Sequence, residues 1–196
     1  MLDESVKAYR RLTNYEYEIV AGRKSKLFQF VISFCLDDFY HLAGFHYADT
    51  IQTFRNRSDI FTHIDSGSIT DALIEKSKRA TLIFERLQCI LRIEEMIESC
   101  DFVIQFNPNI VRGSRINAKY IIIKQFHYGN TYLFLNGDTE GIVCPASIFV
   151  PHEESMYRNG QSTLKLLRVT RITKTTGLRT DVYLSPVFRH QAASSE

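Results

Sequence analysis

The stretch DDFYHLAGFHY, residues 37–47, holds two histidines five apart in a mostly apolar setting, with two aspartates just ahead of them. Imidazole titrates near neutral pH, so His41 and His46 are the first places to look for acid–base chemistry. On a helical wheel Leu36, Phe39, Leu42, Ala43 and His46 share one side and His41 stands opposite. His41 therefore reads as the accessible imidazole, with Asp37 one turn earlier to bind a ring nitrogen and set the tautomer. His46 reads as a packed core histidine. A surface His–Asp pair with no chemical role fits the same spacing, and both readings stand.

Several motifs that would point elsewhere are missing. The chain has no P-loop, no GxGxxG, no HExxH, no GxSxG and no acids at metal-ligand spacing. Nucleotide hydrolysis, dinucleotide redox chemistry and metalloprotease chemistry lose their usual carriers. The four cysteines, Cys35, Cys89, Cys100 and Cys144, form no CxxC pair and read as free thiols. No metal and no cofactor are expected. What remains is chemistry that single His, Arg, Lys, Tyr and Ser side chains can run. Metal-independent RNA cleavage is one such reaction: a base takes the ribose 2′-OH proton, a cation steadies the phosphorane, and an acid protonates the leaving 5′-oxygen.

The cations divide unevenly. Residues 155–190 hold seven Lys/Arg, among them Arg168, Arg171 and Lys174, against the single acid Asp181, although the whole chain carries only +2. Such a strip suits a polyphosphate, and it equally suits a solvated edge strand guarded by positive charge. The loop NPNIVRGSRINAK offers Arg112 and Arg115 as a phosphate clamp or as plain loop residues. In AKYIIIKQFHY, one pleat face carries Tyr120, Ile122, Lys124, Phe126 and Tyr128, a mix that stacks bases and holds phosphates but also describes an ordinary half-exposed strand. Ser147, in CPASIFV, is a hydroxyl able to bind a phosphate oxygen.

These residues need elements to position them. Residues 2–12 predict a short helix with Leu2, Val6, Tyr9 and Leu12 on one face. YEYEIV alternates and LFQFVISF is apolar, so 15–34 predicts a β-hairpin about the turn AGRKSK. Helical spacing follows, with Gly44 as a stop. Residues 47–79 predict short helices capped by Ser58 and Ser68. One long helix is expected over 80–99, with a stripe of Ile83, Leu87, Ile90, Leu91 and Ile97. Glu94 falls inside that stripe and calls for a cation, Arg86 being the nearest by helix geometry. Arg86 then has two readings, a structural ion pair or a phosphate-binding group.

From Asp101 onward the pattern becomes strand-like: DFVIQF, AKYIIIKQFHY, TYLFLN, GIVCPASIFV and STLKLLRVTRITK, with TDVYLSPVF as a sixth. Gly-Asn at 129–130 and Asn-Gly-Asp at 136–138 are expected as the tight turns. The expected architecture is α+β: an N-terminal helical layer, with a short β-hairpin, packed on a C-terminal antiparallel β-sheet meander. Residues 1–190 read as one domain and 191–196 as a disordered tail. No apolar run approaches the ~20 residues that cross a bilayer, so no membrane is expected and the location reads as cytoplasmic.

The segments FCLDDFYHLAGF, ERLQCILRIEEMI, AKYIIIKQFHYGNTYLFL and PASIFVPHEESMYRNGQSTLKLLRVTRI together resemble the phage-associated nuclease-like domains of the barnase/EndoU/colicin/RelE group, the BECR fold. The resemblance spans roughly residues 15–175, and its most specific element is HLxG, His41 to Gly44. It implies a helical layer before an antiparallel sheet whose concave face holds RNA. By position it implies catalytic roles for His41, for Arg86 on a helix, for Lys119 or Tyr120 on the first long sheet strand, and for Ser147 late in the sheet. The expected activity is that of a phage- or mobile-element-encoded ribonuclease, a toxin or effector leaving 2′,3′-cyclic phosphate ends on a structured RNA such as transfer RNA or a CRISPR guide RNA. The alternative is a non-catalytic inhibitor of anti-CRISPR or anti-defence type, which uses the same basic surface on RNA or on a host ribonucleoprotein. A cognate inhibitor protein is a further expected partner of the nuclease.

Overall fold

A computed structural model describes residues 1–51, 57–111, 116–137, 141–153 and 155–186, with the backbone alone at Ser58. Arg112, Arg115, Asp138 of the expected Asn-Gly-Asp turn, and the tail 191–196 lie outside the described residues.

Helix α1, Leu2–Leu12, forms where the sequence predicts it. Leu2, Val6, Tyr9 and Leu12 are buried, Asp3 and Glu4 face the positive helix start, and Arg10 and Arg11 face its negative end. The hairpin follows as β1, Tyr15–Arg23, and β2, Lys26–Ser33, paired antiparallel from Glu16↔Ser33 to Arg23↔Lys26. Five short or medium helices come next: α2, Asp38–Leu42; α3, Ile60–Asp65; α4, Asp71–Glu75; α5, Ala80–Ile90; and α6, Ile93–Glu98. The cap of α4 is Thr70, whose hydroxyl accepts from the Leu73 N–H at 3.2 Å, rather than Ser68. Then come β3, Phe102–Gln105; β4, Tyr120–Phe126; β5, Gly129–Gly137; β6, Ile142–Phe149; helix α7, Ser155–Arg158; β7, Ser162–Thr173; and β8, Arg179–Leu184. The β4–β5 turn is His127–Tyr128, two residues before the expected Gly-Asn, because Phe126 pairs with Gly129.

The strands close a barrel, which corrects the expected meander. Only β3 to β6 run in meander order. β7 then returns to the far side of β3 and also pairs with β1, so the order β1-β2-β6-β5-β4-β3-β7 ends where it began, and β8 adds to β7. The hairpin is therefore barrel wall and not part of the helical layer. Every pairing is antiparallel except β2–β6, which is parallel over two residue pairs. Closure leaves fewer free edges than an open sheet would. The fold is α+β: N-terminal helices on a closed, mixed seven-stranded barrel with one extra strand.

The single long helix expected over 80–99 breaks at Leu91–Arg92 into α5 and α6. The break rotates Glu94 away from Arg86. Glu94 is half-buried and pairs with Arg11 and with Arg171, so the expected Glu94–Arg86 contact is corrected.

The basic strip on β7 takes part in closing the barrel. Glu18 of β1 is buried, and Arg168 and Arg179 each donate to one of its oxygens at 2.8 Å. Arg171 Nη1 lies 3.3 Å from Glu98 and 3.5 Å from Glu94, and Lys174 Nζ donates to the Phe34 carbonyl at 3.2 Å. Burial alone raises the Glu18 carboxyl, but Arg179 and then Arg168 outweigh it and hold the carboxyl below its ordinary 4.5. Glu18→Ala is expected to destabilise the fold by about 2–3 kcal/mol, because it removes the carboxylate that two guanidiniums share. A lowered carboxyl contributes above its unfolded value and loses that contribution as pH falls through the folded one. Urea unfolding of wild type and Glu18→Ala should therefore differ at pH 7 and converge near pH 3.

Candidate active site at Arg86

Two apolar cores share the sheet β3–β6. The larger lies against the helices and takes Ile122, Leu133, Leu135 and Ile148. The smaller lies on the opposite face and takes Ile121, Ile123, Tyr132 and Phe134, with Phe149, Met156 and Tyr157 packed against it. The candidate site sits where α5 reaches β6 beside this second face.

β6 contains Pro145, which has no N–H for the ladder. The β5–β6 register shifts there: Phe134 pairs with Ser147 and Leu135 with Pro145, so Ala146 is the extra residue of a bulge. Such a bulge re-aims the following side chain. Ser147 comes to face Arg86 of α5, whose Nη1 lies 3.5 Å from Ser147 Oγ and 3.4 Å from the Leu42 carbonyl.

Arg86 is the unusual residue. It is only 9% exposed, yet among the described residues no carboxylate pairs with it. A guanidinium has five donors, and these two contacts are at the long limit of hydrogen bonding. The Arg86 carbon Cζ also stands 5.6 Å from the Tyr47 ring and 5.7 Å from the Phe149 ring. Burial lowers its pKa below the ordinary guanidinium value, the mark of a cation short of solvent and of counter-charge. Gly44 allows the approach: it has φ +77°, and a Cβ there would lie 2.8 Å from Arg86 Cδ.

A cavity of about 550 Å³ opens over Arg86, walled by Tyr47, Ser147, Phe149, His152 and Tyr157 among others. Beyond Tyr47 the rings continue outward. His46 lies 3.8 Å from Tyr47 between ring centroids, and His41 lies 5.1 Å from His46. Burial, then His41, Arg86 and Arg57 push His46 down to about 4, and its Nδ1 is buried without a hydrogen-bond partner. Burial, then Arg57, lowers His41 below 6.5. Both imidazoles are held neutral at pH 7, so either nitrogen pair can take a proton.

The residues singled out in the sequence separate into groups. Arg86 and Ser147 meet, and His41 stands two rings further out. Asp37 makes no hydrogen bond to His41 among the described residues, so the expected orienting pair is corrected; Tyr40 and His46 flank the ring instead. Tyr120 lies on the opposite sheet face from Ser147, stacked on Phe30 at 4.1 Å in the larger core. Lys119 is exposed just before β4, and Lys124 pairs with Asp101 at 3.6 Å. Tyr47, Phe149, His152 and Tyr157 escaped the sequence reading. The run FVPHEESMY carries three of them, and its mixture of aromatics and histidine after a Pro-containing strand is the signal that marks them.

Residues 1–178 match the family described as phage-Barnase-EndoU-ColicinE5/D-RelE like nuclease4, PBECR4. The chain belongs to this family of BECR-like nucleases. No curated protein and no solved structure matches it.

Proposed function

We propose that the chain is a phage-associated effector that cleaves RNA without a metal, by attack of a ribose 2′-oxygen on the adjacent phosphorus. The observation that carries this reading is Arg86, a buried cation without a described carboxylate, aimed with Ser147 into an aromatic-walled cavity beside two neutral histidines. A phosphodiester supplies the missing negative charge, and Phe149 or Tyr157 offers a ring to the base next to it. Family membership supplies the nuclease class.

In this mechanism His41 accepts the 2′-OH proton. The O2′–P bond forms as the P–O5′ bond breaks, and Arg86 steadies the charge on the non-bridging oxygens. His152, on the β6–α7 side of the cavity, gives its proton to the departing 5′-oxygen. The products are a 2′,3′-cyclic phosphate and a free 5′-hydroxyl. The substrate is a structured RNA, transfer RNA or a CRISPR guide RNA, met in the cytoplasm.

The test is incubation of the purified chain with bacterial transfer RNA in EDTA, with end mapping of the fragments. Cyclic phosphate ends, absent with Arg86→Gln, are expected. Because burial lowers His41, the acid limb of the rate profile should lie below pH 6.5. RNA retained but never cut would shift the chain to the class of non-catalytic binders.

A further inference from the structure

We infer that the tip of the β1–β2 hairpin is a second RNA-backbone contact, separate from the Arg86 cavity. This rests on the RNA reading above and extends it to a surface that neither the sequence reading nor the family description assigns.

The inference starts from a contrast among the cations. Four cations of the sequence strip on and beside β7 and β8 are engaged within the protein: Arg168 and Arg179 on Glu18, Arg171 on Glu94 and Glu98, Lys174 on a carbonyl. The hairpin tip is different. Arg23, Lys24 and Lys26 are exposed, and no described acid lies in ion-pair distance of them. The β1–β7 register sets Gly22 opposite Lys165, which is exposed and likewise without a described acid. The hairpin and β7 therefore bring four cations to one end of the barrel wall, with no compensating carboxylate among the described residues.

The shape supports a ligand with both charge and flat apolar groups. A hollow of about 430 Å³ is walled by Arg23, Lys24, Ser25, Lys26 and Phe28. Leu27 beside it is 70% exposed, and Lys24 turns the chain with φ +54°. A polyanion with bases between its charges fits this combination of ammonium groups, a guanidinium and a phenyl edge. β2 runs from this tip toward α2, and its eight residues extend roughly 25 Å. A phosphate at the tip is thus a different one from the phosphate at Arg86. Two contacts along one molecule favour a long or folded RNA over a short oligomer.

The experiment measures affinity of the full chain for bacterial transfer RNA as a function of NaCl, by fluorescence anisotropy. The triple variant R23Q/K24Q/K26Q is expected to bind at least ~10-fold more weakly at 150 mM salt and to lower the slope of log K against log salt by about 2 to 3. The variant K26Q/K165Q, which leaves Arg23 and Lys24 in place and divides the loss between two strands, should lower the slope by about 2. A control K7Q/K76Q, on exposed lysines of α1 and just after α4, should match wild type. Cleavage of transfer RNA should suffer at least ten times more than cleavage of a trinucleotide. Equal affinity and slope in wild type and both tip variants would overturn the inference while leaving the cavity reading intact. No RNA binding by wild type would overturn both.

Discussion

Arg86→Met is expected to abolish RNA cleavage, by about 10³-fold, while the melting temperature stays the same or rises. The two effects have one cause. Arg86 is 9% exposed, and its donors meet only a carbonyl and a hydroxyl at long range among the described residues. Keeping a cation there costs desolvation that no described ion pair offsets. Methionine matches the arginine stem out to Nε, fills the space beside Gly44 and Leu82, and carries no charge. A residue kept at a cost to the fold has its use in the bound state. Arg86→Lys tests the geometry: it keeps the charge and loses the planar fork, and should recover only a small part of the rate. Melting curves and single-turnover cleavage on the same samples check both halves. A clear fall in melting temperature for Arg86→Met would make Arg86 a structural residue and remove the main support for the proposed function.

The elements of this fold were legible wherever the signal is local. The α1 face, the strict alternation of YEYEIV and the strands after Asp101 all lie where periodicity places them. Closure was not legible, because it depends on partners far apart in the chain. Glu18 and Arg168 are 150 residues apart, and the parallel β2–β6 join holds only Val31↔Ile142 and Ile32↔Val143. Neither leaves a turn signal or a spacing. The break at Leu91–Arg92 is equally silent: no glycine or proline lies in 80–99, and packing of α5 and α6 against different neighbours decides it. Arg86 and Ser147 were named as separate candidates, but what joins them is a bulge at Pro145 and a left-handed Gly44, both of which act only in three dimensions. The basic strip was legible as charge and not as contacts. A count of arginines does not show that Glu18, Glu94 and Glu98 lie across from them.

His41→Ala is expected to lower cleavage by ~10²-fold with little change in stability, while His46→Ala changes the pH dependence of stability. His41 is partly exposed and packs edge-on against Tyr40 at the border of the larger core. Its loss removes a proton acceptor and little packing. His46 is wedged between His41 and Tyr47, and burial first, then His41 and Arg86, hold it near 4. The unfolded chain takes up that proton near 6.5, so wild type should lose stability as pH falls from about 6.5 toward 4, and His46→Ala should lose less over the same range. Urea midpoints at pH 7.5 and 4.5, for wild type and both variants, separate the two histidines. Tyr47 makes the distinction sharper, because it touches His46 on one side and faces the Arg86 guanidinium on the other. Removing His46 should therefore loosen Tyr47 and raise KM for RNA, whereas removing His41 should act on kcat. Full cleavage by folded His41→Ala protein would transfer the proton-accepting role to His46, the only other imidazole among the described residues that joins His41 to the cavity wall.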